Sequence, residues 1–383
     1  MDSLALYIHW PFCLAKCPYC DFNSHVRERI PQTRFRVALR RELEWEAARL
    51  GRRRLSSIFF GGGTPSLMEP ETVAALIGDA RRLFEPDDDI EITLEANPTS
   101  VEAARFAAFR DAGVNRASIG VQSLDDAALR MLGRQHSAAQ AIGALETARR
   151  TFPRISFDLI YARPGQTLPE WRTELHQALE LAADHLSLYQ LTIEPGTKFE
   201  AMHRRGEVVL PDDDTQAALY EATAEAAGCF GLLGYEVSNY AVAGSESRHN
   251  LAYWRYGDYA GVGPGAHGRH MVPAGEVVAT RRHRAPESWA ELVERKGHGT
   301  AEQSVLQRTD RAREMLLMGL RLTEGIDPMR LAARTGVALK DALDDVVLRQ
   351  ALDEGYLLWR DGRLAATPAG RLRLDALLAA LLR

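Results

Sequence analysis

The first two hundred residues alternate between short β-rich runs and helix-like segments, and this alternation restricts the possible folds most. There are six β-rich runs: Leu4–Trp10, Ser56–Gly63, Ile90–Pro98, Arg116–Ser123, Ile155–Tyr161 and His185–Ile193. Stretches between them, such as PETVAALIGDARRLF, place apolar residues at three- and four-residue intervals. This order is typical of βαβ units and a parallel sheet. Because six units are too few for a closed eight-unit barrel, we expect an open, partial (β/α)6 barrel of the α/β class.

The pattern changes twice after Pro195, which predicts three ranges. Residues 1–200 form the barrel, and residues 201–300, rich in Gly, Tyr and His, form a segment that covers it. Residues 301–383 read as three helices, a hairpin with a turn at Asp361-Gly362 and a final leucine-rich helix. We expect a winged-helix-like domain that packs against the barrel or docks a partner rather than binding nucleic acid.

The composition excludes several classes of protein. An apolar fraction of 46% and a net charge of -5 are those of an ordinary globular protein without an electrostatic preference for nucleic acid. No basic n-region follows Met1, and no window is apolar for the ~18 residues of a membrane span. Four cysteines, three of them clustered, do not make a disulfide framework, so we expect a cytoplasmic protein.

Three cysteines, Cys13, Cys17 and Cys20, lie four and then three residues apart in YIHWPFCLAKCPYC. The spacing suits one helix face, but Pro18 disfavours a helix, so we place the cluster on a loop that follows the first strand. From spacing alone, three interpretations remain open. They are a zinc site completed by His25 or His9, an iron–sulfur centre with an open position, and buried cysteines without a metal.

Polar residues also end the next strands, where a parallel barrel carries its chemistry. The second run ends in GGGTP, whose glycines let a ligand approach the backbone closely. Alternation predicts shared faces for three polar sets: Thr93, Glu95 and Asn97; Ser118, Gly120 and Gln122; Ser156 and Asp158. Each set is either a ligand contact or a satisfied polar group of the core. Arg134 is either an exposed arginine or a partner for a carboxylate at a helix start.

The CxxxCxxC spacing, preceded by YIHWPF and followed by Phe22, resembles the radical S-adenosylmethionine (SAM) superfamily. The resemblance implies a [4Fe–4S] cluster on Cys13, Cys17 and Cys20, with SAM on the fourth iron. Reductive cleavage of SAM would then give methionine and a 5′-deoxyadenosyl radical. The resemblance also assigns a set of residues to SAM: Tyr7, Gly62, Gly63, Thr64, Glu95, Gln122, Arg134 and Asp158.

The full motif set resembles the branch that contains oxygen-independent coproporphyrinogen III oxidases and HemW-type heme chaperones. Three features favour the chaperones over the alternative, an oxidase. Tyr7 lies near the N-terminus, whereas the oxidases carry a long extension, and Phe22 occupies the position of a further oxidase cysteine. The segment HNLAYW, His249–Trp254, resembles the HNxxYW motif of the chaperones. Whether the chain is itself an enzyme is left open.

The resemblance to the chaperones implies heme as a ligand. Iron in heme takes an axial ligand, commonly His, and aromatic walls cover the flat macrocycle. His249, beside Tyr253 and Trp254, is the first candidate, and His267 and His270 are the alternatives. A structural histidine within an irregular loop is the other interpretation of His249.

The remaining expectations concern partners and two single residues. The resemblance implies a heme-accepting protein, membrane heme proteins included through peripheral association, and an electron donor of the flavodoxin or ferredoxin type. A radical enzyme that modifies tRNA is a third alternative, disfavoured by the acids and few aromatics of the C-terminal range.

Arg163 departs from the family pattern and either meets a ligand carboxylate or is solvated. We expect Cys229 to be a small buried residue.

Overall fold

A computed structural model describes residues 3–273 and 275–382. The strands are β1 Leu4–Trp10, β2 Phe12–Cys13, β3 His25–Val26, β4 Arg54–Gly62, β5 Glu85–Ala96, β6 Arg116–Gln122, β7 Arg154–Tyr161, β8 His185–Gln190, β9 Leu233–Gly234, β10 Asn239–Ala241, β11 Asp258–Val262, β12 His267–Met271, β13 Val277–Arg282, β14 Thr300–Val305, β15 Leu357–Arg360 and β16 Arg363–Ala366. 

The helices alternate with these strands. They are α1 Gln32–Leu50, α2 Pro70–Leu83, α3 Ser100–Ala103, α4 Phe106–Asp111, α5 Asp126–Met131, α6 Ala138–Thr151, α7 Leu168–Leu181, α8 Lys198–Arg204, α9 Asp213–Cys229, α10 Arg248–Trp254, α11 Pro286–Lys296, α12 Arg308–Gly319, α13 Pro328–Thr335, α14 Leu339–Ala342, α15 Asp345–Asp353, α16 Pro368–Arg371 and α17 Leu374–Leu381. No helix in the described part of the chain is long and apolar enough to cross a membrane.

One large mixed sheet organises residues 4–305, in the strand order β14-β13-β12-β11-β1-β4-β5-β6-β7-β8-β10-β9. The six predicted strands form its parallel centre, from β1 to β8, and the predicted α/β fold is confirmed. The structure adds a seventh parallel strand, β11, on the other side of β1, outside the six predicted units. Antiparallel strands extend both edges. The division at residues 200 and 300 stays a prediction.

The two faces of the parallel strands differ in polarity. On β1, Leu4, Leu6 and Ile8 are fully buried and join the large apolar core that α1 and α2 cover. Tyr7 points to the opposite face, and the register places it beside Phe59 of β4. The same face carries polar residues on the following strands, with Glu95 of β5 paired to Ser118 of β6. The parallel strands therefore enclose a polar interior between apolar outer layers.

The C-terminal helices α12–α17 and the hairpin β15–β16 enclose a separate apolar cluster. The predicted Asp361-Gly362 turn is confirmed, and both residues have positive φ angles, 48° and 75°. The last of the three helices predicted before the hairpin, in KDALDDVVLRQALDEG, is broken at Leu343, because Asp344 caps a new helix by accepting hydrogen bonds from the N–H groups of Val346 and Val347.

Cys229 corrects another expectation, because it is exposed rather than buried. It is the last residue of α9, whose buried stripe comprises Leu219, Ala222, Thr223 and Ala227. Cys229 lies two positions after Ala227, so its side chain falls outside the buried stripe and faces solvent.

Candidate functional site

The three clustered cysteines lie on a loop at the carboxyl end of β1, as predicted. Cys13 ends β2, which pairs with β3, so both ends of the loop are fixed to each other. The N–H of Phe199 donates to the carbonyl oxygen of Pro18 at 2.9 Å, which anchors the middle of the loop to α8. All three thiols are free and line one cavity. The loop therefore presents three sulfur atoms to a common space.

Each sulfur has a polar neighbour from a different part of the chain. The hydroxyl of Thr64 donates to Cys13 Sγ at 3.5 Å, and Ser24 Oγ lies 3.7 Å from Cys20 Sγ. The guanidinium of Arg134 donates to Cys17 Sγ at 3.5 Å. Burial raises the pKa of the Cys13 thiol to about 11, and the Thr64 hydrogen bond opposes that shift. Such donors stabilise sulfur in its charged, metal-binding form.

The GGGTP turn ends β4 beside the cysteine loop, and its glycines are required by close contacts. Gly62 has a φ of 118°, and a Cβ there would lie 2.5 Å from the His9 ring. A Cβ on Gly63 would lie 2.7 Å from the carbonyl oxygen of Phe12. The N–H groups of Gly63 and Thr64 already donate to backbone carbonyls. The turn therefore presents backbone without side chains to the cavity at Gly62 and Gly63.

Two half-buried carboxyl groups, Glu95 and Asp158, line the same cavity. Burial, with a further contribution from Asp158, raises the pKa of Glu95 to about 8. Burial raises the pKa of Asp158 to about 6, against a hydrogen bond from Ser187 that lowers it. The N–H of Gly62 donates to Glu95 Oε2 at 3.2 Å. Two acids in one site favour a cationic or hydroxyl-bearing ligand.

Arg134 reaches the cavity from the segment between α5 and α6 rather than from a helix start. Its Nη2 donates to Asn97 Oδ1 at 2.7 Å and to the Gly120 carbonyl at 2.8 Å. The expected carboxylate partner is therefore replaced by an amide oxygen, a carbonyl and the Cys17 sulfur. Its Nε is buried without a hydrogen-bond partner among the described residues, which leaves one donor for a ligand.

Gln122 lies at the cavity beside Arg134 and adopts a φ of 71°, which is unusual for a residue with a side chain. The register of β6 against β7 shifts between Ile119 and Gln122, so the irregular backbone turns the end of β6. Strain of this kind costs ~1–3 kcal/mol and gathers at functional sites.

Tyr7 lies on the wall of a second cavity that adjoins the first. His9 Nε2 lies 2.9 Å from the Asn23 carbonyl, which only accepts, so this nitrogen carries the proton. The Tyr7 hydroxyl therefore donates to His9 Nδ1, at 3.0 Å. Burial lowers the pKa of His9 to about 4, so the ring is neutral at pH 7. Because both of its ring nitrogens are engaged in hydrogen bonds, His9 is not available as a zinc ligand.

Arg163 takes neither of its two predicted roles. Its side chain is buried, donates to Glu174 Oε2 at 2.5 Å and also contacts Ser123 and the Ile160 carbonyl. Glu174 comes from α7, so the pair joins the end of β7 to the following helix. Arg163 is structural because its charge is neutralised within the protein.

His249 corrects the expectation for the HNLAYW segment. The segment forms α10, and His249 is fully surrounded: Nδ1 lies 2.9 Å from Ser57 Oγ and Nε2 lies 3.2 Å from the Tyr253 hydroxyl. The ring stacks on Phe59 with centroids 4.8 Å apart. Burial, with a smaller effect of Arg116, lowers its pKa to about 3. Both ring nitrogens are occupied, so the structure gives no support to heme ligation by His249.

Asn97, Glu102 and Gly133 line the cavity and lie outside the predicted ligand set. Asn97 bridges Arg134 and Thr64, and Glu102 accepts hydrogen bonds from the N–H of Asn97 and from Ser66. Thr99 caps α3 by accepting a hydrogen bond from the N–H of Glu102, and these bonds together mark Glu102 as structural. Gly133 packs against the cysteine loop, because a Cβ on it would lie 2.6 Å from Pro18 Cδ. Its place beside Arg134 in MLGRQH is the only indication in the sequence.

Comparison with known proteins decides the family. Residues 7–178 match the Radical SAM superfamily, and residues 306–373 match the HemN C-terminal domain. The chain is 38% identical to "Heme chaperone HemW" of Haemophilus influenzae, over 99% of this chain and 97% of that protein. The chain belongs to the HemW family of radical SAM proteins. The same-named protein of Escherichia coli K12 is also 38% identical, over 99% of this chain and 98% of its own length.

The chain is also similar to a mitochondrial protein and to a solved bacterial structure. "Radical S-adenosyl methionine domain-containing protein 1, mitochondrial" of Bos taurus is 45% identical, over 84% of this chain and 74% of that protein. The solved structure of coproporphyrinogen III oxidase (HemN) from Escherichia coli superposes with a TM-score of 0.82, over 99% of this chain and 90% of that one, at 23% identity. At that identity the superposition shows a common fold and not a common reaction.

The residues of the first cavity fit the cofactors that the superfamily implies. No three His, Cys, Asp or Glu side chains in residues 3–273 and 275–382 converge tightly enough for a single metal ion. Three free thiols on one loop instead suit a larger iron–sulfur centre, whose irons spread the ligands further apart. The unpartnered Arg134 Nε and the two half-buried acids lie on the remaining walls, where SAM would bind.

Proposed function

We propose that this protein binds heme and transfers it to an acceptor protein, and that it carries one [4Fe–4S] cluster with exchangeable SAM. One observation carries the proposal. In a chain that aligns with heme chaperones over 99% of its length, three thiols with separate hydrogen-bond partners open onto one polar cavity. That cavity lies at the carboxyl ends of parallel strands, where barrels of this type place their ligands.

The cluster would be held by Cys13, Cys17 and Cys20. SAM would be held by residues around the rest of the cavity and its border: Tyr7, Gly62, Gly63, Thr64, Glu95, Gln122, Arg134 and Asp158. The chemistry that a bound, reduced cluster supplies is one-electron cleavage of SAM. The protein would therefore be oxygen-sensitive when loaded.

The residues of the chain contribute in three ways. Arg134, Thr64 and Ser24 stabilise negative charge on the three sulfurs. Glu95, protonated at neutral pH without a ligand, releases its proton when a cation such as SAM occupies the cavity. The open glycine turn admits the polar end of the ligand to the backbone.

The partners follow from the proposed function. Heme delivery needs an acceptor protein, and membrane heme proteins would be reached by peripheral association from the cytoplasm. Reduction of the cluster needs an electron donor, for which a flavodoxin or ferredoxin is suited. Nothing in the net charge of -5 favours nucleic acid as a partner.

Coproporphyrinogen oxidation is the second candidate, and it is not favoured. The relatives that align along nearly the whole chain at 34–38% identity carry the name of heme chaperones. Phe22, at the position of a further oxidase cysteine, is 63% exposed and lies where the two cavities meet.

Heme transfer tests the proposal. Protein loaded with one hemin would be mixed with the heme-free form of a b-type cytochrome, and the Soret bands of donor and acceptor followed with time. Direct transfer predicts a rate that rises with acceptor concentration. A rate that is independent of acceptor concentration indicates release into solvent and contradicts a delivery function. Serum albumin loaded with hemin is the control for passive release.

A further inference from the structure

The second cavity lies between the cysteine loop and strands β11–β13. Phe22, Gly62 and Glu95 line both cavities, so the second cavity adjoins the first. Asn23 closes one end, because its Nδ2 donates to the carbonyl oxygens of Pro264 and Arg284 at 2.9 and 3.0 Å. The cysteine loop and the later strands therefore form one wall. Three residues assigned to SAM, Tyr7, Gly62 and Glu95, also line this cavity.

His267 combines a free ring with a place on the wall of this cavity. It opens β12, is exposed and lines this cavity. Within residues 3–273 and 275–382, neither of its ring nitrogens has a hydrogen-bond partner. By contrast, His270 contacts Arg49 at Nε2 and the Tyr259 carbonyl at Nδ1, and His249 is also fully engaged. An axial ligand of heme iron needs a free ring nitrogen that faces a cavity.

The surroundings of His267 keep it neutral, which is the form that binds iron. Partial burial lowers its pKa, and the nearby guanidinium groups of Arg269, Arg281 and Arg284 lower it further. Arg281 lies directly across from His267 in the β12–β13 pair, so the two side chains share a face.

Two of these arginines line the cavity and suit the propionates of heme. Arg281 forms an ion pair with Glu302, and Arg284 has no carboxylate partner in the described part of the chain. The planar fork of arginine matches a carboxylate with two parallel hydrogen bonds. One cation is thus free, and the other can exchange its exposed partner for a ligand carboxylate.

Aromatic side chains supply the remaining walls. Tyr253 and Tyr259 meet edge to face, with ring centroids 4.3 Å apart, and both border the cavity. Phe22 is unusually exposed for its size and faces the same space. Flat apolar walls with a few convergent polar groups are what a tetrapyrrole needs.

We propose that the second cavity is the heme site, with His267 as the axial ligand and Arg281 and Arg284 as partners of the propionates. The macrocycle lies against Tyr259 and Phe22. This inference rests on the proposed function and adds the location of its ligand. It places heme next to the SAM cavity, across the wall that both cavities share.

Hemin titration of cluster-free protein, followed by the Soret band, tests the site. The wild-type protein should give a saturable change at one hemin per chain. His267→Ala should change the position of the Soret band and weaken binding at least tenfold, and added imidazole should restore the wild-type spectrum. Arg284→Ala should weaken binding with an unchanged spectrum. His176→Ala and Arg204→Ala, both exposed and outside the cavity lining, are the matched controls.

The outcomes separate the site from the function. If His267→Ala folds, as checked by circular dichroism, and keeps the wild-type spectrum and affinity, the proposed site is wrong although heme binding stands. If the wild-type protein shows no saturable binding, the proposed function itself fails. Since the side chain of His267 is exposed, its replacement should leave the melting temperature nearly unchanged.

Discussion

Arg134 Nη1 lies 3.5 Å from Cys17 Sγ, and the two residues are separated by 117 positions in the sequence. The contact places a fixed positive charge beside one of three sulfurs, and the same guanidinium holds Asn97 and Gly120. A residue assigned to SAM by resemblance therefore also lies beside one of the three cysteines proposed to hold the cluster. Such neighbours set the reduction potential of an iron–sulfur centre.

Replacing Arg134 tests that relationship. Arg134→Met should lower the reduction potential of a rebuilt cluster, because a positive charge beside the sulfur favours the more negative, reduced state. Anaerobic redox titration followed by electron paramagnetic resonance measures the shift. Arg130→Met, on the exposed face of α5, should leave the potential unchanged. An unaltered potential in Arg134→Met would show that the guanidinium does not act on the cluster.

Gly133 tests the packing of the cysteine loop. It has a φ of 68°, and a Cβ there would lie 2.6 Å from Pro18 Cδ, so Gly133→Ala should displace the loop and cost ~1–3 kcal/mol. We expect the variant to take up less iron and sulfide on reconstitution. Gly143→Ala is the matched control, because no atom lies within 4 Å of its added Cβ within α6. Equal iron content in both variants would contradict the role of Gly133.

Glu95 predicts how stability depends on pH. Its pKa rises from 4.5 to about 8 in the folded protein. Between these values the folded chain holds a proton that the unfolded chain has lost, so the free energy of unfolding falls as pH rises. Glu95→Gln should remove part of this fall and raise the urea midpoint at pH 9 relative to wild type, with little difference at pH 4.

The comparison uses cluster-free protein without SAM, and urea unfolding measured from pH 4 to pH 9. Glu225 is an exposed carboxylate on α9, so Glu225→Gln should leave the urea midpoint unchanged at both pH 4 and pH 9. Parallel pH profiles for wild type and Glu95→Gln would mean that Glu95 titrates normally, and that the cavity is wetter than the structure indicates.

Variants of Arg163 and Glu174 test whether Arg163 stabilises the fold or binds a ligand. Glu174→Gln leaves the buried guanidinium without its partner, and should cost ~3–5 kcal/mol in the free energy of unfolding. The double variant Arg163→Met/Glu174→Leu should recover most of that loss. SAM affinity of the folded double variant should match wild type, measured by equilibrium dialysis. A large loss of SAM affinity would return Arg163 to the ligand set.

The parallel strands from β1 to β8 and the cysteine loop could be predicted because their patterns are local. Alternation fixed the faces of Glu95 and Asp158, and Pro18 excluded a helix for the cysteines. Strand β11 was missed because DYAGV is short, contains glycine and lies in a Gly- and Tyr-rich segment, so only pairing with the distant β1 reveals it.

Partners distant in the chain also explain the failures at single residues. His249 is held by Ser57, 192 positions earlier, and no local pattern shows that its ring is already engaged. Arg163 was a candidate ligand residue because it departs from the family pattern. Nothing in the sequence identified its partner, Glu174, which lies within α7. In both cases the sequence showed the polar group, and only the fold showed its partner.

The central claim is that a radical SAM centre here serves a heme chaperone. The most direct measurement is made anaerobically, on protein with its cluster rebuilt and reduced, and with SAM and coproporphyrinogen III added. The account predicts that SAM is cleaved without formation of the decarboxylated porphyrinogen, and that hemin binds at one per chain. Turnover of coproporphyrinogen III without saturable binding of hemin would contradict it and identify an oxidase.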